Sequence, residues 1–192
     1  MHLLTTSSTG LDEIVEAVDL GQPPGDIAIL SFADSDLLGL AAAWDAERAE
    51  LPSVRLAHLR DLRHPMSVDV WIERVGAQAK VIVVRLLGGL DFWKYGIERL
   101  AALARQRGSV LAVLPGEDRD DARLFAASTL PRPELDTLLR FFREGGRENL
   151  RALLRRLAHY AGRDLQSDAP AAVPRRNFQV PPSGPVFTPG VR

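Results

Sequence analysis

Apolar residues return along the first two thirds of the chain in two alternating patterns. Short continuous apolar runs give way to stretches in which apolar residues recur every three or four positions. Strand-length runs lie at residues 26–32, 54–59, 80–87 and 109–114. The run at 26–32 is continuously apolar, as a strand buried on both faces is, whereas 54–59, with Arg55, alternates less cleanly. Residues 80–87, with Val81-Ile82-Val83-Val84 at their centre, carry the strongest strand signal, and residues 1–6 read as a further short strand. Between the strands, Thr9-x-x-Asp12 marks the start of a short helix with Ile14, Val15 and Val18 on its buried face, stopped by Gly21-Gln22-Pro23-Pro24-Gly25. Helical spacing continues over 37–51, which Pro52 ends, over 67–75, with Val68, Trp71, Ile72 and Val75 on one face, and over 91–106, which Gly108 closes. Five strand–helix units in this order predict an α/β fold, flavodoxin-like or Rossmann-like, with a parallel five-stranded sheet and helices on both faces. Ligands are then expected at the carboxyl ends of the strands.

Beyond residue 120 the pattern is helical only, over 120–128, 133–143 and 147–160, with Gly145-Gly146 separating the last two. Residues 165–192 are proline-rich and lack periodicity, as an extended linker or tail does. The expected organisation is a doubly wound domain over 1–120, a helical extension packed on it over 121–164, and a tail over 165–192.

Composition narrows the function classes. With 192 residues and 46% hydrophobic content the chain is globular. Its formal net charge of −1 gives no reason to expect nucleic acid or an anionic membrane as partner. The even total hides a dipolar chain, at −6 over residues 1–130 and +5 over 131–192. The absence of cysteine excludes disulfides, thiolate metal sites and cysteine nucleophiles, and fits a reducing cytoplasm. The N-terminus has no basic region followed by an apolar core, and no stretch approaches the ~18 uncharged residues of a membrane span.

Candidate chemistry clusters after the predicted strands. Gly88 and Gly89 at the end of 80–87 let backbone approach a ligand closely, or simply make a turn, and Arg85 beside them presents a fork that suits a carboxylate or phosphate. There is no dinucleotide fingerprint and no Gly-Lys-Ser/Thr loop, which argues against ATP hydrolysis by this chain. Glu117, Asp118, Asp120 and Asp121 read either as a hard-cation loop or as a solvated loop and acidic helix start. His58, Asp61 and His64 lack zinc-helix spacing and read first as surface residues. Ser7, Ser8 and Thr9 sit where an anion could bind, although a helix cap already accounts for one of them. Arg143, Arg147, Arg151 and Arg155, in steps of four, form a basic stripe opposite Leu150, Leu153, Leu154 and Leu157.

The order Arg85-Leu86-Leu87-Gly88-Gly89, then Trp93-x-Tyr95-Gly96 and a long helix, then Leu114-Pro115-Gly116-Glu117-Asp118, resembles the N-terminal region of the large subunit of aerobic cobaltochelatase. That family is similar to the large, porphyrin-binding subunit of magnesium chelatase. The resemblance spans most of residues 1–165. It implies a subunit that binds hydrogenobyrinic acid a,c-diamide and the substrate metal Co²⁺ in cytoplasmic cobalamin biosynthesis. It also implies that ATP is used by two partner subunits and not by this chain. Family members are far longer than 192 residues, so the chain is expected to be an N-terminal fragment, itself not catalytic, with the catalytic base and cobalt ligands beyond Arg192. The motif positions carried over as substrate-binding are Arg85, Gly88, Gly89, Gly116 and Asp118, which would line one side of a cleft facing the rest of the protein, with apolar surface left exposed near Phe92 and Trp93. The alternative reading is a stand-alone flavodoxin-like interaction module whose basic helix over 140–156 docks a partner.

Overall fold

The computed structural model describes residues 16–117 and 120–173. Four strands form one sheet: β1 (Ile27–Ser31), β2 (Val54–His58), β3 (Val81–Leu86) and β4 (Val110–Pro115). All are parallel, in the order β2-β1-β3-β4. The helices are α1 (Asp34–Glu47), α2 (Pro65–Trp71, continued by a wider turn over Ile72–Gly76), α3 (Lys94–Arg107), α4 (Ala122–Ala127), α5 (Arg132–Glu144) and α6 (Gly146–Tyr160). The connections place helices on both faces of the sheet, as expected for parallel strands. Among the described residues, no helix is long and apolar enough to cross a membrane.

The period of two along each strand divides the core into two layers. Ile27, Ile29, Val81, Val83, Ala112 and Leu114 face α1, α5 and α6. Ala28, Leu30, Ile82, Val84, Leu111 and Val113 face α2, α3 and α4. Both faces are covered, which is why β1, β3 and β4 are almost continuously apolar; the edge strand β2, with Arg55 and His58, is only partly buried. Helices α5 and α6 share one core with the sheet. Leu138, Phe141, Leu153, Leu154 and Leu157 are all buried in it.

Two expectations are corrected. The sheet of the described residues has four strands, not five; the strand expected over 1–6 lies outside them. The helix expected to run to Leu20 is not formed over residues 16–20. There the backbone is committed elsewhere: the Val18 N–H donates to Ser67 Oγ at 2.7 Å, and Leu20 packs on the α2–α3 layer. Gln22 continues the attachment, donating to the Leu56 carbonyl at 2.7 Å and accepting from Trp71 Nε1 at 3.1 Å.

A polar lock joins α5 to α6. Both guanidinium arms of Arg156 reach Glu134, and the Tyr160 hydroxyl donates to the same carboxylate at 2.6 Å. The Arg156 hydrogen bond holds Glu134 below the usual carboxylate range. Burial, and then the bond to Glu134, push the Tyr160 hydroxyl up to about 12. The depressed Glu134 contributes stability that is complete above its ordinary value of 4.5 and is lost as pH falls through the lower, folded value. The raised Tyr160 contributes stability that is complete below its ordinary value of 10.0 and is lost as pH rises through about 12. Glu134→Gln is therefore expected to lower stability by about 1 kcal/mol at neutral pH. That gap should close in acid. Urea titrations of parent and variant at neutral pH and below the Glu134 pKa check this, and a gap that does not change with pH would contradict it.

Candidate functional site

The carboxyl ends of β1, β3 and β4 meet at a buried polar network. Arg85, on β3, lies beside Ser31 of β1 and Leu114 of β4 in the strand register. Its Nη1 donates to Asp36 Oδ1 at 2.6 Å, and its Nη2 donates to the Gly116 carbonyl at 3.3 Å. Asp36 sits in the first turn of α1 and also accepts the Ser31 hydroxyl at 2.7 Å. Ser31 Oγ in turn accepts the Ala33 N–H at 3.0 Å. The Phe142 ring of α5 lies 5.2 Å from the Arg85 guanidinium carbon. The two charged side chains are 14% and 9% exposed. Arg85 thus spends its donors on the scaffold, and its Nε is buried without a hydrogen-bond partner.

The glycine loops lie just beyond this network. Gly88 and Gly89 have φ of 82° and 75°, a region that side chains strain to adopt. The Gly88 N–H donates to Glu117 Oε1 at 3.0 Å, and the Gly116 N–H donates to the Leu86 carbonyl at 2.8 Å, tying the exit of β3 to that of β4. A cleft of about 400 Å³ opens between these loops and α4, lined by Gly88, Gly89, Pro115, Glu117, Asp121 and Arg123. Arg123 crosses it to Asp91 at 3.0 Å. Around it stand exposed apolar side chains, Phe92 at 56% and Leu87 at 38%, with Phe92 edge-on to Phe32 at 5.0 Å. Trp93 differs from the expectation: it is buried, and its Nε1 donates to the Leu62 carbonyl at 2.7 Å.

Of the sequence-derived candidates, Arg85, Gly88, Gly89 and Gly116 come together at this edge. Asp118 lies outside the described residues, as do Ser7, Ser8 and Thr9. The acidic run is used locally: Glu117 holds Gly88, Asp120 pairs with Arg132 at 2.6 Å, and Asp121 caps α4 by accepting the Arg123 N–H at 2.9 Å. His58 and His64 each accept a backbone N–H two residues on, through Nδ1, and so cap the turn and helix that follow. Among the described residues, no group of three or more His, Asp or Glu side chains is placed to hold a metal. The basic stripe is divided. Arg143 belongs to α5, beyond the break at Gly145, and Arg155 forms a two-armed bond with Glu47 of α1 at 2.8 and 2.9 Å. Arg151 also lies 3.8 Å from Glu47. The stripe is in part an internal contact rather than a free docking face. Ser31, Asp36 and Phe142, which complete the Arg85 network, carry no local sequence signal beyond an acidic first helical turn.

No family model matches the chain. It is 40% identical over 176 residues to aerobic cobaltochelatase subunit CobN of Pseudomonas aeruginosa, across 91% of this chain. It is 44% identical over 149 residues to the subunit of the same name from a Sinorhizobium species, across 78% of this chain. The chain is a homologue of one segment of the aerobic cobaltochelatase subunit CobN. It spans 14% and 12% of the length of these two relatives. A solved structure, the catalytic subunit of cobaltochelatase from Mycobacterium tuberculosis, matches with a TM-score of 0.59 over 80% of this chain and 12% of that one. At 24% identity that likeness shows the fold. The resemblance to the aerobic cobaltochelatase large subunit, drawn from the Arg85–Gly89 and Leu114–Asp118 motifs, therefore extends over most of the chain.

The geometry of the β3 and β4 exits has a direct test. A β-carbon at Gly116 would lie 2.9 Å from Leu87 and 3.3 Å from the Leu86 backbone. Gly116→Ala is expected to push the two loops apart and to cost about 1–3 kcal/mol. Equilibrium denaturation measures this, and a neutral substitution would show that the loops are not held in contact.

Proposed function

We propose that the chain is the N-terminal segment of a cobaltochelatase large subunit. In this reading the whole protein takes part in ATP-dependent insertion of Co²⁺ into hydrogenobyrinic acid a,c-diamide during cobalamin biosynthesis in the cytoplasm. The observation that supports it is the identity of 40–44% to CobN over most of the chain. Hydrolysis of ATP belongs to partner subunits, which accords with the lack of a phosphate-binding loop in this sequence. Co²⁺ is a substrate here, and the base that removes the pyrrole protons lies in the remainder of the subunit.

The role of this segment is to present the carboxyl edge of its sheet to the rest of the protein and the bound tetrapyrrole. Gly88, Gly89 and Gly116 shape the loops at that edge, and Asp118 lies on the same stretch of chain. Arg85 acts as a positioning residue, because its donors hold Asp36 and Gly116. The exposed Phe92 and the cleft-lining Arg123 are the side chains best placed to touch a partner surface or a macrocycle with acidic and amide substituents. In the full-length subunit, Phe92→Ala combined with Arg123→Ala is expected to raise the tetrapyrrole Kd about tenfold, close to 1.4 kcal/mol. The absorbance change on titration reads this out. An unchanged Kd would remove the carboxyl edge from the binding surface.

A further inference from the structure

After α6 the chain turns back and runs along that helix in the opposite direction. Gly162, with φ of 88°, makes the reversal, and the Arg163 N–H closes it on the Ala158 carbonyl at 2.9 Å. Leu165 then packs on the core. The Ser167 hydroxyl donates to the Ala152 carbonyl at 2.7 Å. About one turn back along the helix, Asn149 grips Ala171 by its main chain: Oδ1 accepts the Ala171 N–H at 2.9 Å, and Nδ2 donates to the Ala171 carbonyl at 2.8 Å. Nδ2 also donates to the Gly145 carbonyl at 2.8 Å. Finally Val173 lies against Gly146, where a β-carbon would come within 3.1 Å of it. Residues 167, 171 and 173 thus meet helix residues 152, 149 and 146 in strict reverse order.

Asn149 is 4% exposed, one of only a few buried polar residues among those described. A buried carboxamide is retained only where its hydrogen bonds are met, and here the strap supplies two of its three bonds. An amide side chain that pairs with both backbone groups of one residue imitates a strand neighbour. It fixes direction and register without depending on which side chain the strap carries. The direction has a consequence. The far end of α6, at Tyr160–Gly162, lies with Lys80 and Val110 at the amino edge of the sheet. The near end, at Gly146, follows Phe142 and Arg143, which reach Arg85 and the Glu117 carbonyl at the carboxyl edge. The strap therefore carries the chain from the amino edge to the carboxyl edge.

We propose that residues 165–173 are a built strap, latched by Asn149, which delivers the polypeptide that follows to the carboxyl edge of the sheet. The strap is a positioning device, and its assignment to a larger subunit rests on the function proposed above. The latch itself does not, because it can be read in the isolated chain. Hydrogen exchange should show the Ala171 amide protected in the parent. In Asn149→Ala it should exchange at least about tenfold faster, while the α6 amides from 152 onward keep their protection. Should that variant fail to fold, Ala171→Pro removes the donated N–H from the strap side alone. The sequence has no cysteine, so spin labels at Ala172→Cys and Gln78→Cys report strap position without background. A narrow distance distribution that broadens with either latch variant supports the proposal. An Ala171 amide unprotected in the parent, or protection and distances that neither variant changes, would overturn it. A strap that behaves as expected in a protein with unaltered tetrapyrrole affinity would separate this inference from the proposed function and leave only the latter refuted.

Discussion

The fold turns on one buried ion pair. Three parallel strands end at the same place, and Arg85 enters there beneath Phe142, where a lone cation would be strongly disfavoured. Asp36 is the answering charge, and it comes from a different element, the first turn of α1. The Ser31 hydroxyl and the Gly116 carbonyl complete the set, so a single guanidinium connects β1, α1, β3 and the loop after β4. A buried pair of this kind adds little net stability over an apolar substitute. Its value lies in allowing one arrangement of the loops, because any other leaves a charge unmatched.

The same interaction explains where the cleft at the carboxyl edge lies. In a sheet ordered β2-β1-β3-β4, the order of strand addition reverses between β1 and β3, and that crevice is the usual ligand position. Here Arg85 and Asp36 occupy its floor, and Phe32 and Phe92 meet above β1 and β3. The cleft lies one strand over, between the exits of β3 and β4. The chain enters near Ser67, on the first turns of α2, and leaves along the strap toward Gly146. Both ends of the described chain therefore approach the edge that carries the cleft.

Much of the fold was legible because burial on both faces imposes a simple rule on composition. The four described strands and the six helices follow the apolar runs and periodicities of the sequence, least cleanly at β2, which carries Arg55 and His58. The reading failed over residues 16–20, where helical spacing was present but the Val18 amide found Ser67, forty-nine positions away. Exposure was expected near Trp93, but the ring is buried, because its indole N–H is satisfied by a distant carbonyl at Leu62 that spacing does not reveal. The glycines of the site were visible as turn chemistry. The role of Arg85 was not, because its partners Asp36 and Phe142 are contributed by α1 and α5 through tertiary folding. The Arg155 stripe was misleading for the same reason: its acceptor, Glu47, is more than one hundred residues away.

The central claim is that Arg85 and Asp36 stand or fall together. A double-mutant cycle in this chain tests it, with Asp36→Ala, Arg85→Met and the combined variant compared by denaturant unfolding. Asp36→Ala alone should cost about 3 kcal/mol or more, because it strands a buried cation. The combined variant should be less damaged than the sum of its parts, by about 1–3 kcal/mol. Costs that add to within about 0.5 kcal/mol would mean that the two charges do not depend on each other, and that the carboxyl edge is held by something else.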